Sequence, residues 1–184
     1  MDKKVIQQAA EFMLKAHEGE NRKGGAPYFV HPCAVLAQVV DWGVLDTTIG
    51  AACLLHDVRE NNLSISHENL VDTFGDKIAN LVDELTFMPT VHLDPQVKAK
   101  LKAEYMASFG SKSIESLLVK LADRCCNVCD FFATDPNYAP KYFSKASALY
   151  EAMVQRQPEF LERFGEAVFP RLRNSHSTLM QMVA

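Results

Sequence analysis

Leu54-Leu55-His56-Asp57-Val58-Arg59-Glu60-Asn61 ends an apolar run on an adjacent histidine and aspartate. A run of this kind belongs to a buried element, and burying a carboxylate beside an imidazole is costly unless something satisfies both. A bound metal ion would do so. The residues before it read as a helix over 46–58: Asp46 is an N-cap, Thr47 and Thr48 fill the first turn, and Ile49 to Leu55 is a longer apolar series than most strands use. Successive side chains on a helix diverge by about 100°, so His56 and Asp57 can both reach one point if they stand at the helix end. Glu60-Asn61-Asn62 breaks the pattern there. An isolated His-Asp pair is more often a core histidine beside a surface charge, so the reading depends on what else the chain supplies.

Upstream, Val5, Ala9, Phe12, Met13 and Ala16 recur at helical spacing and predict a helix from Asp2 to His17. Arg22-Lys23-Gly24-Gly25-Ala26-Pro27-Tyr28 is a loop carrying two adjacent cations. It leads into His31-Pro32, where proline in the first turn places His31 at a helix start, and that helix closes at Trp42-Gly43. Downstream, a serine-capped helix opens at Ser64 to Asn69, Phe74-Gly75-Asp76 turns the chain, and Ile78 to Phe87 is amphipathic, ending near Met88-Pro89. A loop is expected over Thr90 to Pro95, then a charged helix over Val97 to Phe109 whose lysines read mostly as a solvated face. Ile114 to Arg124 is a second buried run and ends, like the first, on an aspartate, Asp123. Asn127 lies one helical turn beyond it and Lys120 three residues before. A helix over Ala139 to Arg156 follows, broken by Pro158, and Phe160 to Met182 adds one or two more. With no repeat and no convincing strand, the expected fold is all-α, a single domain over residues 1–184 with a C-terminal helical extension over about 159–182.

The chain has 184 residues, 48% of them hydrophobic and 23% charged, which fits one ordinary globular domain. A net charge of −4 without a basic block argues against a nucleic-acid partner and leaves room for a small anionic ligand. No segment reaches the roughly 20 apolar residues of a membrane span, and Met1-Asp2-Lys3-Lys4 does not begin a signal peptide, so a cytoplasmic protein is expected. Nothing in the sequence selects between a monomer and a homo-oligomer. The five cysteines do not suggest a disulfide framework, and Cys125, Cys126 and Cys129 read as buried free thiols in an apolar helix.

Taken in order, His31, His56-Asp57 and Asp123 resemble the H…HD…D ligand pattern of the HD-domain metal-dependent phosphohydrolases. Arg22-Lys23, Gly25-Ala26-Pro27-Tyr28, Ala51 to Val58, Phe74-Gly75 and Val119 to Arg124 with Asn127 are similar to the hydrolase domain of the RelA/SpoT-type alarmone enzymes, above all to the stand-alone small alarmone hydrolases. The resemblance covers about residues 3–155. It implies a helical bundle in which His31, His56, Asp57 and Asp123 hold one divalent ion, in that family manganese, and a nucleotide 3′-pyrophosphate as substrate. It assigns Glu60 to orienting and deprotonating the attacking water, Asn127 to the nucleotide pocket, and Arg22, Lys23, Lys98 and Tyr142 to substrate contacts. Imidazole nitrogen with carboxylate oxygen and no thiolate suits such an ion.

One position departs from the pattern. The family's pair reads Glu-Asp and here it reads Glu60-Asn61. An amide holds a water by hydrogen bonding and does not accept its proton at neutral pH. Glu60 alone is expected to serve as base, with Asn61 beside it in the catalytic pair, and Arg59 is placed to engage a substrate phosphate. The same residues leave open a phosphatase for another phosphorylated nucleotide or cofactor, and a catalytically weak nucleotide-binding module.

Overall fold

The structure is a computed structural model that describes residues 1–88 and 93–184. Among these residues it is built from eleven α-helices: α1 (Lys3–Ala16), α2 (Val30–Asp41), α3 (Thr47–Leu55), α4 (Val58–Asn61), α5 (His67–Phe74), α6 (Asp76–Leu85), α7 (Pro95–Ser108), α8 (Ile114–Thr134), α9 (Ala139–Gln155), α10 (Gln157–Phe164) and α11 (Val168–Val183). A 3-10 turn at Pro136–Tyr138 joins α8 to α9. Extended pairing among the described residues is limited to an isolated bridge between Asn21 and Pro27. The fold is all-α, as the periodicity predicts.

Local chemistry sets most helix starts. Asp2 Oδ1 accepts from the Lys4 N–H at 2.8 Å, Asp46 Oδ1 from Ile49 at 3.1 Å, and Ser113 Oγ from Ser116 at 3.1 Å. Ser66 and Asn69 form a reciprocal capping box. At α7, Asp94 caps and Pro95 fills the first turn, so the helix begins two residues before the expected Val97; the part of the expected loop at 90–92 lies outside the described residues. Pro158 likewise sits in the first turn of α10 and starts a helix there, the preceding one having already ended at Gln155.

The middle of the bundle is α3, whose residues Ile49 to Leu55 are all buried, packed among α1, α2, α6 and α8. Gly50 lets α1 lie close: a Cβ there would stand 2.9 Å from Ile6 Cδ1. The helix ends at Leu55 with His56 as its C-cap, earlier than the expected Val58, and Asp57 then starts the short α4. α6 also ends early, at Leu85, because the chain turns extended at Thr86 and the Phe87 N–H bonds to the Glu60 carboxylate. The second long buried element, α8, crosses α2, α6, α9 and α11. Of the thiols in its apolar run, Cys125 is buried, Cys126 half-buried and Cys129 exposed, so the expectation of three buried thiols holds for the first alone.

The C-terminal helices are part of the same packing. Phe160 and Leu172 are in the core, and the buried Trp42 indole N–H donates to Ser175 Oγ of α11 at 2.9 Å. Removing that acceptor leaves a buried donor unpaired, so Ser175→Ala is expected to cost about 1–3 kcal/mol, read as a lower urea midpoint with the slope unchanged.

Candidate metal centre and its surroundings

Four side chains from three separate segments converge. His31 comes from the first turn of α2, His56 from the end of α3, Asp57 from the start of α4, and Asp123 from the middle of α8. One donor atom each from His31, His56 and Asp123 lies within 4.8 Å of the other two. Asp57 Oδ2 stands 3.1 Å from His56 Nε2 and 3.7 Å from His31 Nε2, and Asp123 Oδ1 stands 3.3 Å from His31 Nε2. The two imidazoles meet edge to face with centroids 5.2 Å apart.

The orientation of three of the four donors is fixed from behind. His56 Nδ1 donates to the Cys53 carbonyl at 2.8 Å, the helical bond expected of a residue three positions on, which assigns the lone pair to Nε2. That Nε2 is buried and has no hydrogen-bond partner among the described residues. Asp57 Oδ2 accepts from the Tyr28 hydroxyl at 2.7 Å. Asp123 is 2% exposed, with Lys120 Nζ at 3.1 Å and Arg124 Nη2 at 3.3 Å from its second oxygen, and Asn127 donates to both its carboxylate and its carbonyl. A buried imidazole nitrogen without a partner, between carboxylates already supplied with outer donors, fits a divalent cation.

Electrostatics agree with a charged interior. Burial alone would raise the Asp123 carboxyl, but Arg124 and Lys120 hold it well below the usual carboxylate range. Burial would likewise raise Asp57, and His56 outweighs it. Burial pushes the His31 imidazole down. Glu60 goes the other way: burial raises its carboxyl, Lys120 opposes, and the nearby Asp57 carboxylate adds to the rise. One Glu60 oxygen is anchored by the Phe87 N–H at 2.6 Å.

The remaining sequence-selected residues spread around this centre. Arg22 donates to Asp130 through Nε and Nη2 and to Asn127 Oδ1 at 2.8 Å, so it buttresses the asparagine that touches Asp123. Lys23 Nζ lies 5.8 and 5.5 Å from the ring centroids of Phe131 and Tyr138. Tyr142 stacks on Phe131 at 4.5 Å and lies beneath Arg124 and Lys145. Lys98 is exposed on α7. Asn61 is exposed beside Glu60 and donates to Glu20. Arg59, expected to meet a phosphate, is instead ion-paired with Asp83 of α6 and donates to the Ile65 carbonyl, because the turn of α4 that aims Glu60 inward sends its neighbour outward.

Sequence reading missed part of the positive surround. Lys145 on α9 is half-buried near Arg124, while Lys102 on α7 is exposed, in keeping with its reading as a solvated face. The signal of Lys145 was spacing from an element not yet placed, which a single helix pattern does not carry.

These features define a helical protein with a buried two-histidine, two-carboxylate cluster bordered by cations. The sequence profile described as HD domain matches residues 9–159, and the chain belongs to that family. It is 35% identical over 131 residues to a GTP pyrophosphokinase of Myxococcus xanthus, covering 69% of this chain and 17% of that protein. It is 31% identical over 156 residues to a guanosine-3′,5′-bis(diphosphate) 3′-pyrophosphohydrolase of Spiroplasma citri, covering 83% of this chain and 20% of that protein. The chain therefore spans a small part of these longer relatives. A solved structure, described as a metazoan ortholog of SpoT that hydrolyzes ppGpp and plays a role in starvation responses, superposes with a TM-score of 0.74, covering 100% of this chain and 99% of that one at 21% identity. This likeness extends the shared fold through α11.

Two outcomes are expected. Calorimetry with manganese(II) should show one site per chain, weakened at least about 100-fold in His56→Ala, since one imidazole of the cluster and its outer support are lost together. Lys145 is pushed down to about 8 by burial and by Arg124, Lys102 and Lys141, with Asp123 weakly opposing. Its charge is lost as pH rises through that value, so sulfate affinity should fall several-fold between pH 7 and 9, and Lys145→Arg should flatten that fall.

Proposed function

We propose that the chain is a manganese-dependent phosphohydrolase that removes the 3′-pyrophosphate of a purine nucleotide alarmone, (p)ppGpp or its adenosine analogue (p)ppApp. The observation that carries this reading is the convergence of His31, His56, Asp57 and Asp123 around the unpartnered His56 Nε2, beside the buried cations Lys120 and Arg124. The Spiroplasma citri relative, a guanosine-3′,5′-bis(diphosphate) 3′-pyrophosphohydrolase, supports the substrate class.

A divalent ion held by those four residues would supply Lewis acidity, lowering the pKa of water and polarising the phosphoryl group. The chain's own groups do the rest. Glu60, fixed through one oxygen by Phe87, takes the proton from water with the other, and burial, which raises its carboxyl, makes it a stronger base for that proton. The water oxygen bonds to phosphorus, the bond from phosphorus to the 3′ oxygen breaks, and the proton passes to that oxygen, leaving a 3′-hydroxyl and inorganic pyrophosphate. Lys120 and Arg124 keep Asp123 ionised. Lys23 and Lys98 neutralise charge on the phosphate oxygens, while Asn127, braced by Arg22, and Tyr142 line the nucleotide.

The test is a phosphate and pyrophosphate assay with manganese(II) on a panel of guanosine and adenosine 3′-pyrophosphates, 3′-monophosphates and 2′-phosphorylated cofactors. Release of pyrophosphate from a 3′-pyrophosphate is expected, with kcat lowered about 10²–10⁴-fold in Glu60→Gln. Turnover confined to monophosphates would overturn the substrate class, and binding without turnover would favour a nucleotide-binding module.

A further inference from the structure

Asn61 stands where a carboxylate would help hold water, and the chain places a carboxylate directly behind it. Glu20, in the loop after α1, accepts from Asn61 Nδ2 through Oε2 at 3.2 Å. The same oxygen is 2.9 Å from Nδ1 of the buried His17. The His17 ring stacks on Tyr28 at 4.4 Å, and the Tyr28 N–H donates to the Glu20 carbonyl at 3.0 Å, so the loop folds back on itself at this point. The Tyr28 hydroxyl donates to Asp57 Oδ2 at 2.7 Å. Glu20 therefore joins His17 and Asn61 through one carboxylate oxygen and Tyr28 through its carbonyl, and Tyr28 leads on to Asp57.

We propose that Glu20 is a positioning residue for Asn61 and supplies, from another segment, the negative charge that position 61 lacks. An asparagine amide has two equivalent-looking orientations and two N–H donors. Here Nδ2 has its acceptor in Glu20, which fixes the amide and leaves Oδ1 as an acceptor for the water that Glu60 deprotonates. Had position 61 carried a carboxylate, it would have faced Glu20 at about hydrogen-bond distance with no proton between them, an arrangement that drives one of the two to protonate. Positions 20 and 61 thus form a donor–acceptor pair whose polarity can be reversed: with Glu20→Gln and Asn61→Asp made together, the amide would stand at position 20 and donate to a carboxylate at position 61.

This inference rests on the function proposed above, and a double-mutant cycle tests it. Glu20→Gln lets the amide turn over, and Asn61→Asp sets two carboxylates together; each is expected to lower kcat about tenfold with KM within about twofold. The double variant Glu20→Gln/Asn61→Asp is expected to return to within about threefold of the native rate, a coupling typical of residues in one network. Manganese affinity by calorimetry, read in the same four proteins, should follow the same pattern of loss and recovery with a smaller, about threefold, amplitude, because Tyr28 leads on to Asp57. A native rate in Glu20→Gln, or a double variant at or below the product of the singles, overturns the inference. Native protein that turns over no nucleotide while manganese affinity still reverses refutes the proposed reaction and leaves the pair standing.

Discussion

Everything at this site depends on keeping two carboxylates ionised inside a helical bundle. A buried charge is tolerated only when paired and fully hydrogen-bonded. Asp123 is supplied by Lys120 and Arg124 on its own helix and by Asn127 one turn on, while Asp57 is supplied by the Tyr28 hydroxyl. Lys120 is itself 2% exposed, which is acceptable only because Asp123 is 3.1 Å away.

The same requirement explains why the helices end where they do. If α3 continued past Leu55, the Asp57 side chain would leave the helix about 100° from His56. Stopping the helix at His56 keeps the His56–Cys53 bond and lets α4 start at a new angle, so that Asp57 faces both imidazoles and Glu60 reaches the Phe87 N–H. The Arg59–Asp83 pair, with His67 Nδ1 at 2.6 Å from the other Asp83 oxygen, holds this four-residue helix against α5 and α6. So short a helix has little stability of its own, and its placement comes from these side chains.

The helices and the two buried runs were legible because apolar spacing and caps are local properties, and His31, His56 and Asp123 were legible because each ends or begins such a run. What was not legible is relational. Arg59 and Glu60 are neighbours in sequence, and only the angle of α4 sends one outward to Asp83 and the other inward. Glu20 carries no signal in its own stretch of sequence, and its meaning arises only because the backbone bond from Tyr28 to Glu20 brings the loop over the end of α4. Lys145 looked like any lysine of an amphipathic face until α9 was set against α8.

The distribution of charge narrows what the site can take. A chain of net charge −4 gathers Lys102, Lys120, Arg124 and Lys145 around one place, although their mutual repulsion and burial are strong enough to bring Lys145 to about 8. Asp123 offsets only part of this, since its second oxygen is already shared between Lys120 and Arg124. Such an arrangement is relieved by an anion carrying more than one charge. Beside it, Tyr138, Phe131 and Tyr142 stack in series with Lys23 against the first two. A compact polyanion joined to a planar ring system would satisfy both halves at once, which supports the phosphorylated nucleotide proposed above.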